Sequence, residues 1–434
     1  MPMVYGRIMR KNSTKDQISP LPQELVDIIV NYLEGDTRTL ISCSLVCRKL
    51  SSRCRALLFK RCVLYSGDEC NKLLDFPEST LRHIKTLCIP LVFFYPPAVR
   101  PEVLNHPSFH QVVASLGPLD LEVDTLSWSQ LNDGARKTLS AHSFRRIDIQ
   151  SGRFQSVADI CYLLRSSHDL ETLILPNLQI EETTITHPPH EVGPSVSHLT
   201  VNSGEDRLRL SQSIVSSSCP VSVNNLRVLD VNISHAEDLG LLREVLARTE
   251  DLQVLKVSHE FLNSNPELLP AADLNLTKVK SLTVRMSDYQ ELECPVVYPA
   301  LFRWWCEVWA NARTTRIDEL VIRATLDRFN NPEFDITLWS QIAGTLSKPP
   351  WKTLSTLTIV IYTSNDLYAE SIFSPYIKKI KDIMADLLSG TQSVEVDVSL
   401  EYPEPDNEFE YDGDDPVEGE EPTSDDDLRI GYPF

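Results

Sequence analysis

The chain of 434 residues is longer than one typical domain, and its 42% hydrophobic content is enough for a substantial core. Its formal net charge of −20 is concentrated at one end: residues 401–434 hold fourteen Asp/Glu and one Arg, a net of −13, which leaves 47 acids against 40 bases, or −7, for residues 1–400. A nearly balanced body excludes general nucleic-acid binding, which needs a concentrated basic surface, and the most apolar run, Ile89–Tyr95, is too short to span a membrane.

Arg7, Arg10, Lys11 and Lys15 have no apolar stretch behind them, so residues 1–17 read as a flexible lead without a secretory signal. A helix is predicted next. Pro22 suits the first helical position because its missing N–H would be unpaired there, and Glu24 puts a negative charge where the helix dipole favours it. Leu25, Ile28, Ile29, Tyr32 and Leu33 recur at steps of three and four, Gly35 supplies a stop, and Asp36 suits the cap of the next helix. That helix carries Leu40, Cys43 and Ser44, and through Val46, Cys47 and Leu50 the chain enters a basic, amphipathic third helix. Its cations, Arg48, Lys49, Arg53, Arg55, Lys60 and Arg61, read as a solvated face. Three short helices bury little apolar area alone, so this module expects a partner.

Over these residues the segment resembles the F-box. The family's Leu-Pro-x-Glu-Leu opening is matched by Leu21, Pro22, Glu24 and Leu25, followed by Ile28, Leu33, Leu40 and the run Ser44-Leu45-Val46-Cys47-Arg48, while Leu50 stands where many members carry an aromatic residue. The resemblance assigns residues 18–66 to an F-box. It implies docking on the Skp adaptor of SCF-type cullin–RING ubiquitin ligases through Leu21, Pro22, Glu24, Leu25, Leu40, Val46, Cys47 and Leu50, with cullin engaged through the adaptor. It also admits an F-box scaffold that holds the adaptor outside a ligase. Either role places the chain in the cytoplasm or nucleus. The cysteines at 43, 47, 54, 62, 70, 88, 161, 219, 294 and 306 form no C-x-x-C pair, so buried free thiols in a reducing compartment are expected, with no metal site.

From about residue 80 a loose repeat sets in: apolar, two others, apolar, one other, apolar. Its anchors are Leu87, Leu119, Ile147, Leu173, Leu199, Leu229, Leu255, Leu282, Leu320, Leu357 and, more weakly, Val394. Helical patterns fit between several of them, at 157–167, 236–249, 299–314 and 374–390. One strand then one helix, repeated, resembles the leucine-rich repeat, a solenoid with stacked parallel strands. The turn Asn or Cys of that repeat is missing, since Leu178, Gly204 and Ser234 take its places, so the resemblance is to a degenerate form. A non-repetitive α/β domain with buried parallel strands carries the same apolar signature and stays open. The expected fold class is therefore α/β, or α+β when the helical N-terminus is counted, with a substrate-binding domain over 67–400.

No Walker loop, G-x-G-x-x-G, G-x-S-x-G or H-E-x-x-H is present, and glycine, at 14 residues, is sparse for phosphate-cradling loops. No enzyme activity and no cofactor are expected. His83, His142, His168, His198, His235 and His259 flank strands and suggest surface or turn hydrogen bonds. Phe302, Trp304, Trp305 and Trp309 read as a helix packing on the repeats, part of which could anchor a partner. Side chains alternate along a strand, so if Leu229 and Val231 face the core, Val228, Asp230 and Asn232 face the opposite, concave surface, and the same count places Lys256, Arg285 and Arg323 there. These five polar residues, Asp230, Asn232, Lys256, Arg285 and Arg323, are the candidate substrate contacts, the three cations suiting an acidic or phosphorylated segment. The tail 401–434 is expected to be disordered, with Thr423 and Ser424 each three residues before an acid, Asp426 and Asp427, as acidophilic kinases prefer.

Overall fold

A computed structural model describes residues 21–90, 102–181, 193–201, 221–233, 236–259, 273–286, 297–312, 315–326, 336–363, 369–388 and 394–401. The flexible lead, Asn202, Gly204, Ser234, His235 and the tail beyond Glu401 lie outside them. Among the described residues no helix is long and apolar enough to cross a membrane.

The chain opens with three helices, α1 (Gln23–Asn31), α2 (Thr37–Val46) and α3 (Arg48–Leu58). Pro22 is the N-cap of α1 and not its first residue, with an extended ψ of 145°. Gly35 turns the chain at φ 98°, in the left-handed region that favours glycine. The Asp36 carboxylate then accepts from the Thr39 N–H at 3.0 Å and caps α2. The three helices close around Val30, Leu40 and Cys54, with Val26, Leu33, Leu50 and Leu57 packed against them. So small a core has little stability to spare. Leu40→Ala should remove about 2–4 kcal/mol and unfold this module alone. Amide hydrogen exchange should then lose protection over residues 23–58 while the strands of the sheet keep theirs.

The remainder is mixed α/β with a large parallel sheet. Its strands are β1 (Arg61–Val63), β2 (Thr86–Ile89), β3 (Leu119–Ser127), β4 (Phe144–Phe154), β5 (Thr172–Leu175), β6 (Asn177–Ile180), β7 (His198–Val201), β8 (Val228–Ile233), β9 (Val254–His259), β10 (Ser281–Met286), β11 (Glu319–Leu326), β12 (Thr356–Thr363) and β13 (Glu395–Glu401). They pair in chain order, except that β6 pairs with the second half of β4 and β5 pairs directly with β7. The pairing makes one row of Cys62, Leu87, Leu121, Ile147, Leu173, Leu199, Leu229, Leu255, Leu282, Leu320, Leu357 and Val396. Nine of the eleven sequence anchors stand in it. Leu119 and Val394 lie two residues early, the first beside a register shift at Leu119/Asp120.

The helices between the strands include α4 (Gly67–Leu74), α5 (Glu78–Leu81), α6 (Glu102–Asn105), α7 (Phe109–Ser115), α8 (Asp133–Ala141), α9 (Val157–Leu164), α10 (Ala236–Arg248), α11 (Val297–Asn311), α12 (Ile336–Leu346) and α13 (Ala369–Leu388). Their apolar sides, such as Leu139, Ile160, Leu242, Phe302, Trp339 and Ile380, share one hydrophobic cluster with the Leu173–Leu357 row. β1 falls inside the 18–66 segment read as helical, so the sheet begins three residues after α3. β6 contains Leu178, which is a strand residue and not a turn.

Two expectations are corrected here. Trp304, Trp305, Trp309 and Phe302 are buried, so this cluster anchors α11 to the sheet and offers no partner contact. His259 is no surface residue either: it is 1% exposed, in the core row with Ile233 and Met286, and accepts a 2.9 Å hydrogen bond at Nε2 from the Trp305 indole N–H.

Candidate functional site

Helix α1 is too apolar for the core it serves. Val26, Val30 and Leu33 point inward, and Val30 is completely buried. Leu25, Ile28, Ile29 and Tyr32, at i, i+3, i+4 and i+7, form a second stripe that faces out, from 47% exposed at Leu25 to 86% at Tyr32. Leu21, before the helix, is half exposed as well. On α2, Ile41, Leu45 and Val46 are exposed, Leu45 at 81%. A short helix with two apolar faces has one face that its own core does not use, and exposed apolar stripes of this kind mark interaction or ligand-binding surfaces.

The residues proposed for adaptor contact divide accordingly. Leu21, Pro22, Glu24, Leu25, Val46 and Cys47 are exposed. Leu40, at 3%, lies inside the module's own core, and Leu50 packs against that core. These two hold the helices together from within. Ile28, Ile29, Tyr32, Ile41 and Leu45 join this surface beyond the residues the sequence singles out, and the signal for it is the excess of apolar residues around α1, four facing out against three facing in.

A second candidate surface is the face of the sheet opposite the helices. One row there contains Asp148, Ile174, Thr200, Asp230, Lys256, Thr283, Val321, Thr358 and Asp397, and the next contains Asn232, Ser258, Arg285, Arg323, Val360 and Ser399. Asp230 and Lys256 are therefore neighbours, and so are Arg285 and Arg323. Asn232 is nearly enclosed, and its Oδ1 has no hydrogen-bond partner among the described residues. Burial raises the Asp230 carboxyl above its ordinary value, against the pull of Lys256, Arg285 and His198. Burial, then Lys256 and Arg146, hold His198 below the usual imidazole range. Further along, Arg146 donates to Asp148 at 2.7 Å, and the Gln150 amide donates to the same carboxylate at 2.6 Å. Arg323 donates through Nη1 to the Tyr362 hydroxyl at 3.2 Å. The Nε atoms of Arg146 and Arg323 are buried without partners among the described residues.

Among the described residues no group of three or more His, Cys, Asp or Glu is placed to hold a metal ion. The eight described cysteines are free thiols: Cys54, Cys70, Cys88 and Cys306 are buried, Cys43, Cys62 and Cys161 partly so, and Cys47 is exposed. Burial lifts the thiols of Cys62 and Cys70 to about 11 and that of Cys306 to about 12, far from the thiolate needed for nucleophilic work. No protein-family model matches the chain, and no curated protein matches it significantly.

Proposed function

We propose that the chain is a non-catalytic receptor subunit of an SCF-type cullin–RING ubiquitin ligase. In this reading helices α1–α3 are an F-box that docks on the Skp adaptor, the sheet and its helices are a degenerate leucine-rich-repeat solenoid, and the open face of the sheet takes the protein substrate. The observation that carries it is the outward stripe of Leu25, Ile28, Ile29 and Tyr32, which stays in water unless a partner covers it. A receptor of this kind acts by holding a substrate's lysines near the conjugating enzyme, so effective concentration does the work of catalysis.

The test is capture of adaptor and cullin by the tagged full chain, compared with a Leu25→Asp/Ile29→Asp variant. Both positions are exposed, so the fold should tolerate the change. Burying two aliphatic side chains contributes about 3 kcal/mol, and adaptor affinity should fall roughly 100-fold or more. Equal adaptor capture by both chains would refute the docking surface. Adaptor captured without cullin would instead assign the chain to a scaffold outside a ligase.

A further inference from the structure

Strand β13 is the last of the sheet, and among the described residues only β12 pairs with it. The Glu395 N–H donates to the Ser355 carbonyl at 2.8 Å. Along a strand the N–H and C=O of one residue point to the same side and those of the next residue to the other. Glu395, Asp397 and Ser399 therefore bond to β12, while Val396, Val398 and Leu400 turn their N–H and C=O groups to the free edge. An open row of this kind is a template for one more strand. The opposite end of the sheet offers less: β1 is three residues long, and its Arg61 is held by Glu122.

The side chains at this edge select what can pair with it. Val396, Val398 and Leu400 pack into the core beneath the helices, and Glu395 and Asp397 stand exposed on the open face. Neither acid is within ion-pair distance of a cation among the described residues. A second copy pairing antiparallel about Val396, Asp397 or Val398 would set Glu395 opposite Asp397, Asp397 opposite itself, or Glu395 opposite Glu401. Like charges directly opposite destabilise a strand pair, and opposite charges at the same positions stabilise it. The edge thus disfavours its own copy and suits an extended segment with Lys or Arg at alternate positions. Arg323, on β11, lies three strand spacings from an added strand, about 14 Å, which is more than a Debye length at physiological salt.

We propose that the free edge of β13 takes an added strand from a basic, extended segment of a partner protein. The backbone of that segment bonds to Val396, Val398 and Leu400, and its Lys or Arg side chains lie against Glu395 and Asp397. The pairing rests on the fold and stands apart from the adaptor reading. The test uses the full chain and an alternating lysine–valine heptapeptide. Amide-resolved hydrogen exchange should find the Val396, Val398 and Leu400 N–H groups fast in the free protein and at least roughly tenfold slower with saturating peptide. Two further peptides carry methyl groups on the backbone nitrogens of either the lysines or the valines. Only one of these sets faces β13 in a paired strand, so one methylated peptide should bind at least roughly tenfold more weakly than the other. Glu395→Gln/Asp397→Asn, changed at two exposed positions, should bind the parent peptide at least roughly threefold more weakly. Equal binding of the two methylated peptides would mean attraction by charge alone, as to the acidic residues 402–434, and would overturn the proposal. An unchanged affinity of the Gln/Asn variant would do the same. Slow exchange of the three amides before any peptide is added would show the edge already taken, by the chain itself or, where it depends on protein concentration, by a second copy, and would overturn it too.

Discussion

Trp305→Ala should cost about 5 kcal/mol, and it should loosen the sheet around β9–β11 first. The indole is completely buried, 5.2 Å from Trp304 and 5.8 Å from Trp309 between ring centres. Truncating a buried aromatic typically costs about 3–5 kcal/mol, through lost transfer energy and the cavity left behind. Removing the indole N–H also strips His259 Nε2 of its 2.9 Å donor in a dry setting, which adds about 1–3 kcal/mol. Trp305→Phe separates the two contributions, since it keeps most of the ring and should lose only the hydrogen bond and a small volume, about 2 kcal/mol. Because each strand pairs only with its neighbours in the sheet, the damage should spread along the stack and not reach α1–α3. Urea unfolding gives the size of the effect, and hydrogen exchange its location. A loss below about 2 kcal/mol for Trp305→Ala would contradict the close packing of α11 on the sheet.

What could be read without coordinates follows from side-chain alternation. The Leu-x-x-Leu-x-Leu pattern repeats the register of the sheet, so Ile147, Leu173, Leu199, Leu229, Leu255, Leu282, Leu320 and Leu357 appear in one row as they do in one column of the sequence. Rows on the other face follow by parity, which is why Asp230 and Lys256 could be placed side by side. Strands of three or four residues escape this reading: β1 and β6 are too short to show a period. Periodicity also gives the spacing of an apolar stripe and not its direction. The sequence shows the stripe Leu25, Ile28, Ile29, Tyr32 and Leu33 along and just after α1, yet of these only Leu33 packs on the core, with Val26 and Val30, and Leu40 goes inward for the same reason. For His259 residue type and register disagree: a histidine's type says surface, while its parity, level with Ile233 and Met286, says core.

That buried histidine makes stability sensitive to acid. Burial lowers the folded pKa of His259 from 6.5 to about 3, so the folded chain keeps the ring neutral where the unfolded chain protonates it. Between these values the unfolded state binds one more proton, and stability must fall as pH falls. Above pH 6.5 both states hold a neutral ring and this contribution does not vary with pH. Below it, the loss approaches 1.36 kcal/mol per pH unit, about 2–3 kcal/mol by pH 4.5. His259→Asn retains an oxygen that can accept from Trp305 and cannot titrate. The variant should be less stable than wild type at pH 7 because the smaller side chain leaves space. On acidification to pH 4.5 its disadvantage should shrink by about 2–3 kcal/mol, and it should become the more stable chain if the neutral-pH deficit is smaller than that. Urea midpoints for the two proteins at pH 7, 6, 5 and 4.5 measure the convergence directly, because the other titrating groups are common to both. A stability difference that stays constant across this series would mean that His259 is protonated in the folded chain, and the dry, neutral pairing with Trp305 would have to be abandoned.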